Sequence, residues 1–203
     1  MIEDLNFYEL SFAVPTASGN FGLNVNYFGS ASYNQSQLGF AYGRNLGVAD
    51  VGVQFNYYTV RALGYGAASA VNFEGGVILH VTGQFQTGFH IYNPLRAALG
   101  KNGEEKLPVI YSFGMGYDPS EKLFIGGAIE KTEDQPVSIQ AGIQYAFAEK
   151  LFARTGIVTG KSSFYFGLGY IISGLRIDVT ASVHQSLGMT PGLLFMYNVP
   201  KAK

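Results

Sequence analysis

An all-β fold, specifically an antiparallel transmembrane β-barrel of the outer-membrane type, is what this sequence predicts. Three observations predict it. Thirteen short segments alternate apolar with small or polar residues almost without a break, the period of two that marks a strand with unlike faces. The polar phase holds Gly, Ser, Asn and Gln, while the apolar phase is Phe, Tyr, Leu, Val and Ile. Charged residues are 13% of the chain, about half the roughly 25% of a soluble domain. Yet no run approaches the ~18 consecutive apolar residues of a spanning helix. A chain with enough apolar residues for lipid, none of them in a long run, crosses a membrane as strands.

The elements follow in order. Tyr8, Leu10, Phe12 and Val14 share one face against Glu9, Ser11 and Ala13. Phe21, Leu23, Val25 and Tyr27 oppose Gly22, Asn24 and Asn26, and Leu38, Phe40 and Tyr42 oppose Gly39, Ala41 and Gly43. Val51, Val53, Phe55 and Tyr57 oppose Gly52, Gln54, Asn56 and Tyr58. The fifth and sixth segments set Phe73, Val77 and Leu79, then Phe85, Phe89 and Ile91, against Glu74, His80, Gln84, Gln86 and His90. Val109 to Tyr117 alternates with Ser112, Gly114 and Gly116; Leu123, Ile125 and Ile129 oppose Gly126, Ala128 and Glu130. Val137, Ile139, Ile143 and Tyr145 oppose Ser138, Gln140, Gly142 and Gln144, and Leu151 and Ile157 oppose Arg154 and Gly156. Phe164, Phe166, Leu168 and Tyr170 oppose Tyr165, Gly167 and Gly169. Leu175 to Val183 alternates with Arg176, Asp178, Thr180, Ser182 and His184, and Leu193, Phe195 and Tyr197 close the series. A soluble barrel inverts this arrangement, with large apolar residues inside and charge outside.

The connections carry a second signal. Those at Thr16–Asn20, Asn45–Asp50, Thr82–Gly83, Asp118–Lys122, Ala148–Lys150 and Ser173–Gly174 are short. The alternate ones, Gly29–Gln37, Thr59–Ser69, Asn93–Pro108, Lys131–Pro136 and Gln185–Pro191, are longer, with Gly160–Ser162 the exception. Short turns at one end and longer loops at the other are expected of periplasmic and extracellular sides. The longest has room for one helical turn at Leu95–Leu99, and its Lys101–Lys106 tail reads as solvated surface. Tyr and Phe gather near segment ends, as at Tyr8, Tyr27, Tyr57, Tyr117, Tyr145, Tyr170 and Tyr197, the pattern of interfacial aromatic girdles.

One domain over residues 1–203 accounts for this length. Barrels of this type carry an even strand number, about fourteen here, with both termini periplasmic. Thirteen segments and a start at Met1–Asn6 without a basic region or apolar core therefore predict a copy truncated at its N-terminus or a mis-called start. Net charge is −1 with no basic run, so nucleic acid has no electrostatic footprint. The absence of cysteine excludes disulfides and thiol chemistry.

Glu9, Glu74, His80, His90, Glu130, Arg154, Arg176, Asp178 and His184 fall on the polar phase. Charges there need partners, so they are expected to form a polar network filling and stiffening the lumen, or a selectivity surface along a ligand path. His80 and His90 lie on adjacent segments and can approach each other. Asp178, Ser182 and His184 share a strand face, but strand neighbours two apart are ~6.5–7 Å apart, too far for a nucleophile and its base. The histidines lack metal-motif spacing, and the glycines fall every second residue rather than in a phosphate-cradling loop. No enzymatic function, metal or cofactor is expected.

Four stretches, Leu38-Gly-Phe-Ala-Tyr-Gly-Arg44, Phe89-His-Ile-Tyr-Asn-Pro94, Glu121-Lys-Leu-Phe-Ile-Gly-Gly127 and Ala141-Gly-Ile-Gln-Tyr145, resemble the Bacteroidota outer-membrane barrels related to PorV and PorQ. These are themselves similar to FadL-type transporters. The resemblance implies a fourteen-stranded outer-membrane barrel with an N-terminal segment in its lumen. It implies either a partner role in type IX secretion and surface attachment, or passage of a hydrophobic small-molecule ligand. Outer-membrane lipid is the expected surrounding, and a secretion-system or surface protein the expected partner. A structural barrel docking a surface partner and a soluble ligand-binding β-barrel are the alternatives.

Overall fold

A computed structural model describes residues 5–100, 105–160, 163–184 and 188–199. Among these, thirteen strands form one antiparallel sheet in chain order. They are β1 (Asn6–Thr16), β2 (Gly19–Gly29), β3 (Tyr33–Asn45), β4 (Ala49–Ala62), β5 (Gly66–His80) and β6 (Phe85–Tyr92), then, after the long connection, β9 (Ile110–Ser120), β10 (Leu123–Thr132), β11 (Ser138–Ala148), β12 (Leu151–Val158), β13 (Ser163–Ile172), β14 (Leu175–His184) and β15 (Gly188–Tyr197). Two two-residue strands in that connection, β7 (Ala98–Leu99) and β8 (Glu105–Lys106), pair with each other. The chain divides into two compact units. The first holds Met1–Leu79, Gly88–Ser112 and Thr132–Asp134, and the second His80–Thr87, Phe113–Lys131 and Gln135–Lys203.

In the first unit, strict antiparallel register (Phe12↔Leu23, Leu23↔Phe40, Phe40↔Phe55, Phe55↔Phe73) lines large apolar side chains along one face. They are exposed: Phe40 by 60% and Phe55 by 62%. On β2 to β5 the opposite phase is more covered, and Asn56 on it is 1% exposed, while β1 is exposed on both phases. The second unit repeats the arrangement, with Phe166 at 53% and Phe195 at 64%. Leaving a Phe or Leu in water forgoes about 1.5–3 kcal/mol per side chain; hydrocarbon around the sheet removes that cost. The alternation sorts the residues by face as the sequence predicts. Near short turns, the rings of Phe21 and Tyr42 meet at a tilt (5.2 Å) in the first unit, and those of Tyr145 and Phe147 meet edge to face (5.0 Å) in the second.

Several connections are shorter than the sequence suggests. β3, β4 and β5 run for 13, 14 and 15 residues, beyond the ~9–11 that span a bilayer. Pairs such as Tyr33↔Ala62 and Arg61↔Ala67 reduce the expected loops to residues 30–32 and 63–65. The Asn34–Gln37 and Ala67–Ser69 stretches lack apolar alternation, but continuing the ladder satisfies their backbone groups. The connection expected at Lys131–Pro136 lies instead at residues 133–137. The last strand starts at Gly188, and residues 161–162 and 185–187 of the predicted connections lie outside the described residues.

The expected helical turn at Leu95–Leu99 is not formed. A turn closed by Arg96 N–H donating to Asn93 O (3.0 Å) leads instead into the β7–β8 pair. Within that stretch Arg96 takes φ +53°, a left-handed conformation that a helical turn excludes, and the buried Asn93 just before it takes φ +52°. Of the tail read as surface, Glu105 and Lys106 are exposed, and residues 101–104 lie outside the described residues.

Candidate functional site

The charged and amide side chains of the covered phase gather into two clusters, one within each unit. In the first, β3, β4, β5 and β6 contribute neighbouring covered positions. The Asn56 amide donates to Asn72 Oδ1 and to Glu74 Oε1, both at 3.0 Å, and accepts from Gln37 (3.0 Å) and Gln54 (2.8 Å). Gln54 also donates to Glu74 Oε1 (2.8 Å), Asn72 donates to Tyr92 Oη (2.9 Å), and His90 Nε2 lies 2.8 Å from Glu74 Oε2. The carboxylate thus receives amide and imidazole bonds that offset its removal from water. Gly39 makes the cluster possible: a Cβ there would stand 2.6 Å from Gln54 Nε2 and 2.8 Å from Asn56 Oδ1.

In the second unit the chemistry is cationic. Asp178 on β14 is fully buried and receives Arg176 as a two-pronged pair (Nε–Oδ1 and Nη2–Oδ2, both 2.9 Å) and Arg154 Nη2 at 2.8 Å. The Arg176 guanidinium also lies 4.1 Å over the Phe152 ring. Arg154 and Phe152 belong to β12, two strands from β14, yet across β13 Arg154 meets Asp178 and Phe152 meets Arg176. That reach exists because β13 presents Gly167 and Gly169 at the crossing, in register with Arg154 and Phe152 on one side and Thr180 and Asp178 on the other. A Cβ at Gly169 would fall 2.5 Å from Asp178 Oδ1 and at Gly167 2.8 Å from Arg154 Nε. With two guanidiniums on one carboxylate, the cluster carries a net positive charge.

A third feature sits at the long-loop end of the first unit. Above Asn56 and Asn72, the covered phase of β4 and β5 turns apolar: Tyr58, Val60, Ala68 and Ala70. The connection after β6 folds onto this patch, placing Leu99 and Leu107 at 8% and 6% exposure against it. Asn93 clamps that strap. Its side chain donates to Leu107 O (2.7 Å) and accepts from Ala97 N–H (2.9 Å), while its own N–H donates to Phe73 O (2.9 Å). An Arg96–Glu133 ion pair and a Glu133 N–H bond to Val109 O (2.9 Å) tie the next loop to it.

Replacing Asn93 with Ala leaves buried groups unpaired at about 1–3 kcal/mol and puts a non-glycine, non-asparagine residue in a left-handed conformation at about 1–2 kcal/mol. Limited proteolysis should then cut the 93–109 strap much faster than in the parent chain, with the rest of the sheet still resistant. Unchanged cleavage would remove Asn93 from this role.

Of the nine charged and histidine residues singled out from the sequence, Glu74 and His90 meet in one cluster, and Arg154, Arg176 and Asp178 in the other. Glu9 makes a smaller group, accepting from Ser11 Oγ (3.0 Å) and Asn24 Nδ2 (3.3 Å). Glu130, His80 and His184 stand at strand ends, at the close of β10, β5 and β14, and belong to neither cluster. Each cluster is local, because strands lie ~4.8 Å apart and side chains bridge one or two of them. His90 pairs with Glu74. Residues missed by sequence reasoning are Asn72, Tyr92, Phe152 and Val60. Phe152 had a legible signal: a large aromatic in the polar phase beside the Gly167–Gly169 alternation, where an aromatic covers a cross-strand glycine.

The fold has solved counterparts. The structure of the Ralstonia pickettii toluene transporter TbuX matches over 92% of this chain and 78% of its own, with TM-score 0.66 and 11% identity. The Pseudomonas putida toluene transporter TodX matches over 88% of this chain and 80% of its own, with TM-score 0.60 and 11% identity. No protein-family model matches the chain, and no curated protein matches it at a significant level. The fold is therefore all-β and antiparallel, similar to that of outer-membrane β-barrels such as these two.

Proposed function

We propose that this chain works in an outer membrane and passes hydrophobic small molecules without acting as an enzyme. The observation that carries this reading is the apolar patch of Tyr58, Val60, Ala68 and Ala70 set into an otherwise amide-lined face and covered by a clamped strap. A polar wall alone would suit water and ions, whereas this apolar patch, now packed by Leu99 and Leu107, would suit an aromatic or aliphatic solute where the strap yields. The fold shared with two toluene transporters supports the same solute class. The secretion partner and the Bacteroidota affiliation rest on the sequence resemblance alone.

The test is entry of a radiolabelled aromatic hydrocarbon into cells with an intact lipopolysaccharide layer. Expression of the chain is expected to raise entry several-fold, and Val60→Asp to return it to background while heat-modifiable gel mobility still reports a folded barrel. Entry that ignores the chain's presence, together with stable co-purification of a surface protein, would replace transport by a docking role.

A further inference from the structure

The apolar face of the first unit carries a feature that transport through the covered face does not use. Along the outward phase of β5, side chains stand at Val71, Phe73, Val77 and Leu79, but position 75 is glycine. The gap opens a groove of about 420 Å³ over Gly75, walled by Val51, Val53, Val77, Phe89 and Ile91. Its floor is backbone. A Cβ at Gly75 would meet nothing closer than 3.6 Å, so glycine is not demanded by packing within the sheet, and the space is left to an outside occupant.

The groove has a polar end. Tyr42, which also lines it, donates its hydroxyl to Ser18 O (2.6 Å) in the short β1–β2 turn, which places that end at the short-turn boundary. One outward position beyond Tyr42 stands Arg44, exposed and in register with the groove wall residue Val51. No carboxylate pairs with Arg44 among the described residues. The acid beside the β3–β4 turn, Asp50, accepts from Asn45 (2.6 Å) on the opposite phase. An outward arginine at a membrane boundary extends to the headgroup layer and favours phosphate, and a hydrocarbon slot directly behind it suits the chain of the same molecule.

We propose that the outward surface of β3–β6 is a phospholipid site, with one acyl chain in the groove over Gly75 and the lipid phosphate on Arg44. Short turns face the periplasm in such barrels, so the occupant comes from the inner leaflet. This rests on the membrane location proposed above, and the test separates the two.

The chain contains no tryptophan, so a single introduced indole is a clean reporter. Phe89→Trp places one in the groove wall; Phe166→Trp places a control on the apolar face of the second unit. Each is reconstituted into phosphatidylcholine vesicles containing brominated-chain phosphatidylglycerol, or brominated-chain diacylglycerol, which lacks the phosphate. Half-maximal quenching of Phe89→Trp by the phospholipid is expected at a several-fold lower mole fraction than for Phe166→Trp. Arg44→Gln should abolish the preference over diacylglycerol, and Gly75→Leu, which fills the slot, should abolish the excess quenching itself. Equal quenching at the two reporters, with both in lipid, would overturn the site and leave the membrane location intact. No quenching at either would overturn both. Hydrocarbon entry should be unaffected by Arg44→Gln, so loss of the lipid preference with entry retained isolates the site from transport.

Discussion

Replacing Asp178 with Ala is expected to be among the most damaging single changes in this chain, costing about 3–5 kcal/mol, the range for removing one partner of a buried ion pair. The carboxylate is fully buried and is the shared acceptor of Arg154 and Arg176. Its loss leaves two guanidiniums facing each other across the Gly167–Gly169 trough with only the Phe152 ring to neutralise one of them. Urea unfolding in detergent micelles measures the effect as a lowered midpoint. Asp178→Asn should recover part of it, because an amide still accepts one bond from each arginine. A midpoint within error of the parent chain would mean that the cluster contributes nothing to stability, and that its charge serves some other purpose.

The second large effect concerns the apolar face. Phe166→Arg puts a cation midway along β13 on a position exposed by 53%, and near a bilayer midplane that costs about 2–4 kcal/mol. Gln140→Arg, on the covered phase of β11 with Val158 and Ala128 as its register partners, should be much milder because that phase does not face lipid. Folding yield into lipid vesicles, read by heat-modifiable mobility, compares the two directly. Equal tolerance would sink the assignment of faces, and a soluble chain that folds without any lipid would do so more completely.

The distribution of residues between faces was legible in the sequence because it is a property of the strand itself. Leu23 and Asn24 must point opposite ways in any extended chain, so Phe, Leu and Val on one phase and Gly, Asn and Gln on the other already state what surrounds the sheet. The short turns were legible for the same local reason, since Ser173–Gly174 and its counterparts interrupt the alternation. The longer connections were not. Arg61 and Ala67 carry no apolar alternation, and only their pairing across a ladder shows them to be strand. Asn93 likewise looks like any loop asparagine until the strap closes over it.

By itself, then, the sequence determined the fold class, the two faces and which residues could hold charge, because period and composition are local. Only the tertiary structure decided which charges meet. Glu74 finds His90 because β5 and β6 are neighbours in one register, and Arg154 finds Asp178 because β13 offers glycine where they cross. Register and the height of an intervening side chain are relations between strands. No single segment contains them.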